Sequence, residues 1–154
     1  MHALCTVVAK RIEDIQDIMD AKCDEGCWDY ATIGGRYDRI IPVSPNTKDI
    51  FEGHNFPFNH DDYAENGFPF HNIGNNLNCK YVSAARVRNI NRDEVKRLDD
   101  AHLINPLNPY SYILDGEFDN AEMTVEINGQ GALLNYINDP KHSYYYLAII
   151  DYHY

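Results

Sequence analysis

The chain opens on an apolar run. His2 to Ala9, HALCTVVA, is rich in β-branched and small apolar residues, the pattern of a buried strand. The period then changes. Ile12, Ile15 and Met19, with Ile18 beside them, form one apolar stripe, while Glu13, Asp14, Asp17 and Asp20 face the other way. This predicts a helix over Arg11 to Lys22, with early acids suited to its N-terminus and Gly26 beyond it as the stop. Trp28 to Ile33 reads as a second strand. Gly34-Gly35 breaks it, and Tyr37 to Val43 reads as its continuation or its partner.

Periodicity then lapses. Ser44 to Asn78 is rich in Asn, Asp, Gly, Pro and His, and contains Phe-Pro-Phe at 56–58 and again at 68–70. A loop of this length inside a compact domain is uncommon and usually functional or mobile. Its aromatics argue against a plain disordered linker, so it reads as an insertion pinned to the body by the two Phe-Pro-Phe segments. Strand character resumes over Cys79 to Ile90. Asn91 followed by Glu94 resembles a capping box, which predicts a short helix from Arg92 to about Asp100. Asn105 to Pro109 is a turn region. Tyr110 to Leu114 reads as a strand, Asp115 to Phe118 as a turn, and Thr124 to Ile127 as a further strand. A brief helix is expected over Ala132 to Asn138. The closing run, Tyr144 to Tyr154, is long and apolar enough for the middle of a sheet.

The resulting order is β-α-β, an insertion, then β-α-β twice. Hairpin-like elements and short helices favour an α+β fold over a doubly wound parallel sheet. The specific expectation is a ferredoxin-like antiparallel sheet with helices on one face and a long loop insertion. At 154 residues the chain is expected to be a single domain, 1–154, with the loop-rich insertion at 44–78 within it.

Charge changes the picture. Asp and Glu outnumber Lys and Arg by 24 to 13, for a net charge of −11. Direct nucleic-acid binding needs a basic footprint, so it is excluded as an expectation. A partner with a basic surface fits, or simple solubility. The 12 tyrosines suit half-buried sheet surfaces and binding faces. No secretory leader and no run of membrane-spanning length is visible, so a cytoplasmic protein with reduced thiols and no membrane contact is expected. Cys23 and Cys27 are spaced to begin a zinc site, but Cys5 and Cys79 are isolated and no second close pair completes one. No metal and no cofactor are expected.

Three places carry candidate chemistry. In WDYATIGGRY, Gly34 and Gly35 permit positive φ, and their amides would form an anion-binding nest with Arg36 as a planar donor. That arrangement suits a small anionic ligand. The alternative is a bulge or tight turn, with Arg36 paired to an acid such as Asp29. At the C-terminus, strand alternation puts Asp151 and His153 on one face and Tyr152 and Tyr154 on the other. An Asp and a His so placed would serve as a metal pair, as a general base with an orienting acid, or as the polar end of a frayed strand. In the insertion, His54, His60, Asp61, Asp62 and His71 are metal-ligand types, but their spacing matches no site. No nucleophile elbow, Walker loop or His-Glu-x-x-His helix is present.

Three of these stretches also carry a resemblance. Trp28, Asp29, Tyr30, Ile33, Gly34, Gly35 and Arg36, then Asp115, Gly116 and Glu117, then Asp151 and His153, resemble marks of a group of small uncharacterised phage and bacterial proteins. In that group an aromatic-Asp-aromatic stretch leads into Ile-Gly-Gly-Arg-Trp, an Asp-Gly-Glu-Trp turn follows, and the chain ends near Val-Asp-Cys-His-Ile. Here Tyr37, Phe118 and Tyr152 replace the Trp, Trp and Cys. The resemblance implies a shared fold and a phage-linked context. If its marks converge in space, Arg36, Glu117 and His153 would line one pocket. Tyr30, Gly34, Gly35, Arg36 and Glu117 are therefore the candidate ligand-binding residues, and His153 and Asp151 the catalytic candidates. The expected function is a small acidic phage-type accessory protein that binds and inhibits a host defence component. It would act as an anti-CRISPR-like surface blocker or by binding a nucleotide signal. The alternative is a hydrolase or phosphodiesterase, with Arg36 holding an anion and His153 and Asp151 as the acid–base pair.

Overall fold

The computed structural model describes residues 1–48, 50–51, 79–101, 105–107, 109, 111–115, 122–126 and 130–154. Most of the 44–78 stretch, with its Phe-Pro-Phe segments and its histidines, lies outside them, as does Glu117.

The first strand, β1 (His2–Ala9), spans the residues its pattern predicted, because alternate side chains are buried on both faces. Helix α1 (Ile12–Asp24) follows and buries Ile15, Ile18 and Met19. Each such side chain contributes roughly 1.5–3 kcal/mol of burial. Gly26 ends the helix at φ 80°, where the Cys27 amide donates to Lys22 and the Gly26 amide to Cys23, the bonding of a Schellman stop. Strand β2 (Tyr30–Ile33) then runs into a single 3-10 turn at Gly35–Tyr37, and β3 (Ile41–Val43) comes after it.

The remaining elements are β4 (Ile50–Phe51), β5 (Lys80–Val82), β6 (Ala84–Arg86), α2 (Arg92–Asp100), β7 (Ser111–Asp115), β8 (Glu122–Glu126), α3 (Gln130–Asn138) and β9 (Tyr146–His153). Helix α2 also spans its predicted residues. Asn91 Oδ1 accepts from the Glu94 amide at 3.1 Å. The reciprocal half of a capping box is not made: the Asn91 amide donates to Pro42, and the Glu94 carboxylate turns to Arg97. Replacing Asn91 by Ala is expected to cost about 1 kcal/mol, seen as a lower urea midpoint at unchanged slope.

The main sheet has the order β4-β6-β9-β1-β7-β8. Strand β2 also pairs with β9, so β6 and β2 lie end to end along one edge of it. The fold is α+β, and β9 sits inside the sheet as its apolarity predicted. Two parts of the ferredoxin-like expectation are corrected. Strands β1 and β7 run parallel, with Cys5 opposite Ser111 and Val8 opposite Leu114, so the sheet is mixed rather than antiparallel. Helices also cover both faces. Cys5, Val7, Ala9, Ile33, Ala148 and Ile150 pack with Ile15, Ile18 and Met19 of α1. Val8, Tyr112, Leu114, Leu147 and Ile149 pack instead with Val95 of α2 and Leu133 and Ile137 of α3. The physical reason is that β1 and β9 are apolar on both sides, so a single helical layer would leave one side wet. Strand β3 does not continue β2 or pair with it. It pairs antiparallel with β5 in a separate ribbon.

Candidate functional site

The ends of β1, β9 and β2 lie side by side. His2, His153 and Tyr30 occupy one cross-strand row, and Leu4, Asp151 and Thr32 the next. The period of two therefore puts Asp151 and His153 on the same face, together with two side chains from other strands. Trp28 and Tyr152 stack on each other at 4.6 Å and pack in the cluster that contains α1.

Asp151 is fully buried. Its Oδ2 accepts from the Arg36 amide at 2.9 Å, and its Oδ1 from His2 Nδ1 at 2.8 Å. A buried carboxylate needs such donors, since the alternative is an unpaired charge in a poorly solvated place. The Gly-Gly-Arg turn exists to make this contact. Gly34 and Gly35 take φ 82° and 55°, and the Gly34 amide donates to Ile149 at 2.8 Å. A methyl group at Gly35 would lie 2.5 Å from Asp151 Oδ2 and 2.6 Å from its Cβ. The glycines thus let the turn close over the carboxylate. Of the two glycine amides expected to form an anion nest, that of Gly34 is taken by Ile149, and the next amide, that of Arg36, holds the chain's own Asp151.

The expected Asp151–His153 pair is exchanged for two others. Asp151 orients His2, while His153 Nδ1 meets Asp29 Oδ2 at 2.8 Å. The Asp29 amide in turn donates to the His153 carbonyl at 2.7 Å. His153 Nε2 lies 2.8 Å from the Met1 amine. Tyr30 stacks on the His153 ring at 5.2 Å, nearly parallel, and its hydroxyl lies 3.2 Å from His2 Nε2. Asp29 is thus a partner of His153. Tyr37 follows Arg36, and burial first and the Asp151 charge second raise its phenol above the ordinary range.

Of the sequence candidates, the structure gathers Tyr30, Gly34, Gly35, Arg36, Asp151 and His153 into one cluster. Glu117 lies outside the described residues. His2 was missed. Its only sequence signal is parity with Leu4, Thr6 and Val8, and nothing local links it to a carboxylate 149 positions away. A second buried carboxylate was also missed. Asp38 accepts from Ser83 Oγ and from Arg39 Nε at 2.8 Å, while the Arg39 amide donates to Ser83 Oγ at 2.9 Å. This network ties the loop after the Gly-Gly-Arg turn to the break between β5 and β6.

Among the described residues, no group of three or more His, Cys, Asp or Glu is placed to hold a metal ion. The four cysteines are free thiols, and burial pushes Cys5 up to about 12 and Cys79 up to about 11. No helix among the described residues is long and apolar enough to cross a membrane. No protein-family model, curated protein or solved structure matches this chain.

Proposed function

We propose that this chain is a phage-type accessory protein that binds a component of a host defence system and blocks its basic, nucleic-acid-binding face. It acts in the cytoplasm of the host cell and works as an anti-CRISPR-like surface blocker. The observation that carries this reading is the outer face of α1. Glu13, Asp17, Asp20 and Asp24 are all exposed and recur at helical spacing, so they form one acidic stripe. The stripe continues into exposed Glu25 and Asp29. Basic residues on the same helix are drawn to its ends, with Arg11 on Asp14 at 2.7 Å and Lys22 near Glu25 at 3.6 Å. A stripe of one sign on a rigid helix steers a basic partner and fixes its register.

Small anionic ligands have less support, because the Gly34 amide of the expected nest donates to Ile149 and the Arg36 amide beside it to Asp151. An acid–base hydrolase built on His153 and Asp151 has less support for a similar reason. Asp151 is committed to His2, and both ring nitrogens of His153 have partners.

The test is phage plating on bacteria that carry a targeting CRISPR–Cas system and express this chain. Expression should restore plaques. A variant with Asp17, Asp20 and Asp24 replaced by Lys should lose that effect while remaining folded, and Arg36→Ala should keep it. Binding to the captured effector should weaken steeply between low and physiological salt. Full plaque restoration by the triple variant would sink the acidic-face reading.

A further inference from the structure

The relay Asp151–His2–Tyr30 has a chemical consequence beyond docking. Asp151 accepts from His2 Nδ1, so in the neutral imidazole the proton sits on Nδ1 and the lone pair on Nε2. That lone pair faces the Tyr30 hydroxyl at 3.2 Å. The three groups come from three adjacent strands, β9, β1 and β2, so sheet pairing holds their geometry. The carboxylate is fully buried, the imidazole is largely covered, and Tyr30 is 41% exposed. This order is that of an orienting acid, a general base and a hydroxyl nucleophile that opens to solvent.

We propose that Tyr30 is an activated nucleophile that takes an acyl group from an ester. The phenolic oxygen attacks the acyl carbon while His2 Nε2 accepts the phenolic proton. The bond from acyl carbon to leaving oxygen breaks, its electron pair departs with that oxygen, and His2 returns the proton to it. The product is an O-acyl-tyrosine. Uncharged acyl donors are favoured over phosphate esters, because Asp29 stands exposed beside His153 and the chain carries −11 overall. His2 is the general base. Asp151 is a positioning residue that acts through it.

The molecule contains its own controls. Tyr144 and Tyr154 are 61% and 56% exposed, more open than Tyr30, and the Tyr154 hydroxyl donates to Met1 Sδ rather than to a histidine. The intact protein is treated with p-nitrophenyl acetate, and acetylation of each tyrosine is followed over time by peptide mass spectrometry. If exposure alone governs the reaction, Tyr144 is acetylated first. If the relay operates, Tyr30 leads by about a hundredfold or more, at the low end of general-base effects. His2→Gln should bring Tyr30 down to the rate of Tyr144 and leave Tyr144 itself unchanged, which also reports that the fold survives.

A second variant separates chemistry from scaffolding. The groups that meet His2 include Asp151, Tyr30 and His153, with the Met1 amine on the far ring nitrogen of His153. Asp151→Asn should slow acetylation of Tyr30 while Tyr144 keeps its rate, because the carboxylate that holds the His2 proton on Nδ1 has gone. A merely structural role would leave the ratio of the two rates unchanged. Equal rates at Tyr30 and Tyr144 in the parent overturn the proposal without any variant. So does an unchanged Tyr30 rate in His2→Gln, or an acetyl group that stays on His2 and never reaches Tyr30.

Discussion

Replacing Gly35 by Ala is expected to destabilise the protein by about 2–5 kcal/mol. Two terms add. An L side chain at φ 55° carries a backbone cost of order 1 kcal/mol or more. The new Cβ would also stand 2.5 Å from Asp151 Oδ2, 2.6 Å from Asp151 Cβ and 2.8 Å from Thr32 Cγ2. No flexible side-chain end is available to yield, because Asp151 is held by the Arg36 amide and by His2. Thermal unfolding should show a fall in midpoint of roughly 4–20 °C, at about 2–4 °C per kcal/mol for a chain this long. Gly26 supplies the comparison. Its φ is 80°, but a Cβ there meets nothing within 4 Å, so Gly26→Ala should show the backbone cost alone. A Gly35→Ala protein no less stable than Gly26→Ala would contradict the close packing of the turn on Asp151.

Asp151→Ala should cost about 3 kcal/mol. It leaves the Arg36 amide and His2 Nδ1 without their acceptor in a site closed to solvent, and each lost buried partner costs roughly 1–3 kcal/mol. The loss should be local in character. The β1–β9 ladder continues through Ile150, Ile149 and Ala148, so hydrogen exchange should quicken first at His2 to Leu4 and Tyr30 to Arg36. The two substitutions should also be coupled. With Asp151 already cut to Ala, a methyl at position 35 no longer meets Oδ2, though it still meets the remaining Cβ. The double variant should therefore be more stable than the sum of the single losses by about 0.5–2 kcal/mol. Strict additivity would mean that the turn and the carboxylate do not share one packing problem.

Local periodicity carried the long elements. β1, α1, α2 and β9 were legible because each buries a face whose period, two or 3.6, is written in consecutive residues. Gly26 and Asn91 were legible for the same reason, since a helix end must satisfy its own backbone groups with nearby residues. The Gly34-Gly35 break was legible as a need for positive φ, but not what the turn would close on. Pairing was less visible. Ile41–Val43 carries an apolar pattern that would suit a continuation of β2, yet it joins β5, because β2 and β6 already occupy the edge of β9.

For the candidate site, the same division holds residue by residue. Strand parity placed Asp151 and His153 on one face, and side-chain chemistry singled out Tyr30 and Arg36. Which donor met which acceptor was invisible. Parity says that a residue faces a given side, while a 2.8 Å contact depends on register between strands that are far apart in sequence. What the sequence alone determined is the long local elements, the glycine turn and the surplus of acid along α1, whereas Cys79 to Ile90, expected as one strand, is divided between β5 and β6 in different sheets and a 3-10 turn. Only the tertiary structure decided that β1 and β7 run parallel, that helices take both faces, and that His2 rather than His153 receives Asp151. Local propensity acts between neighbours and is readable there. Register and partner choice come from burying the whole apolar surface at once, and no short stretch of chain contains that information.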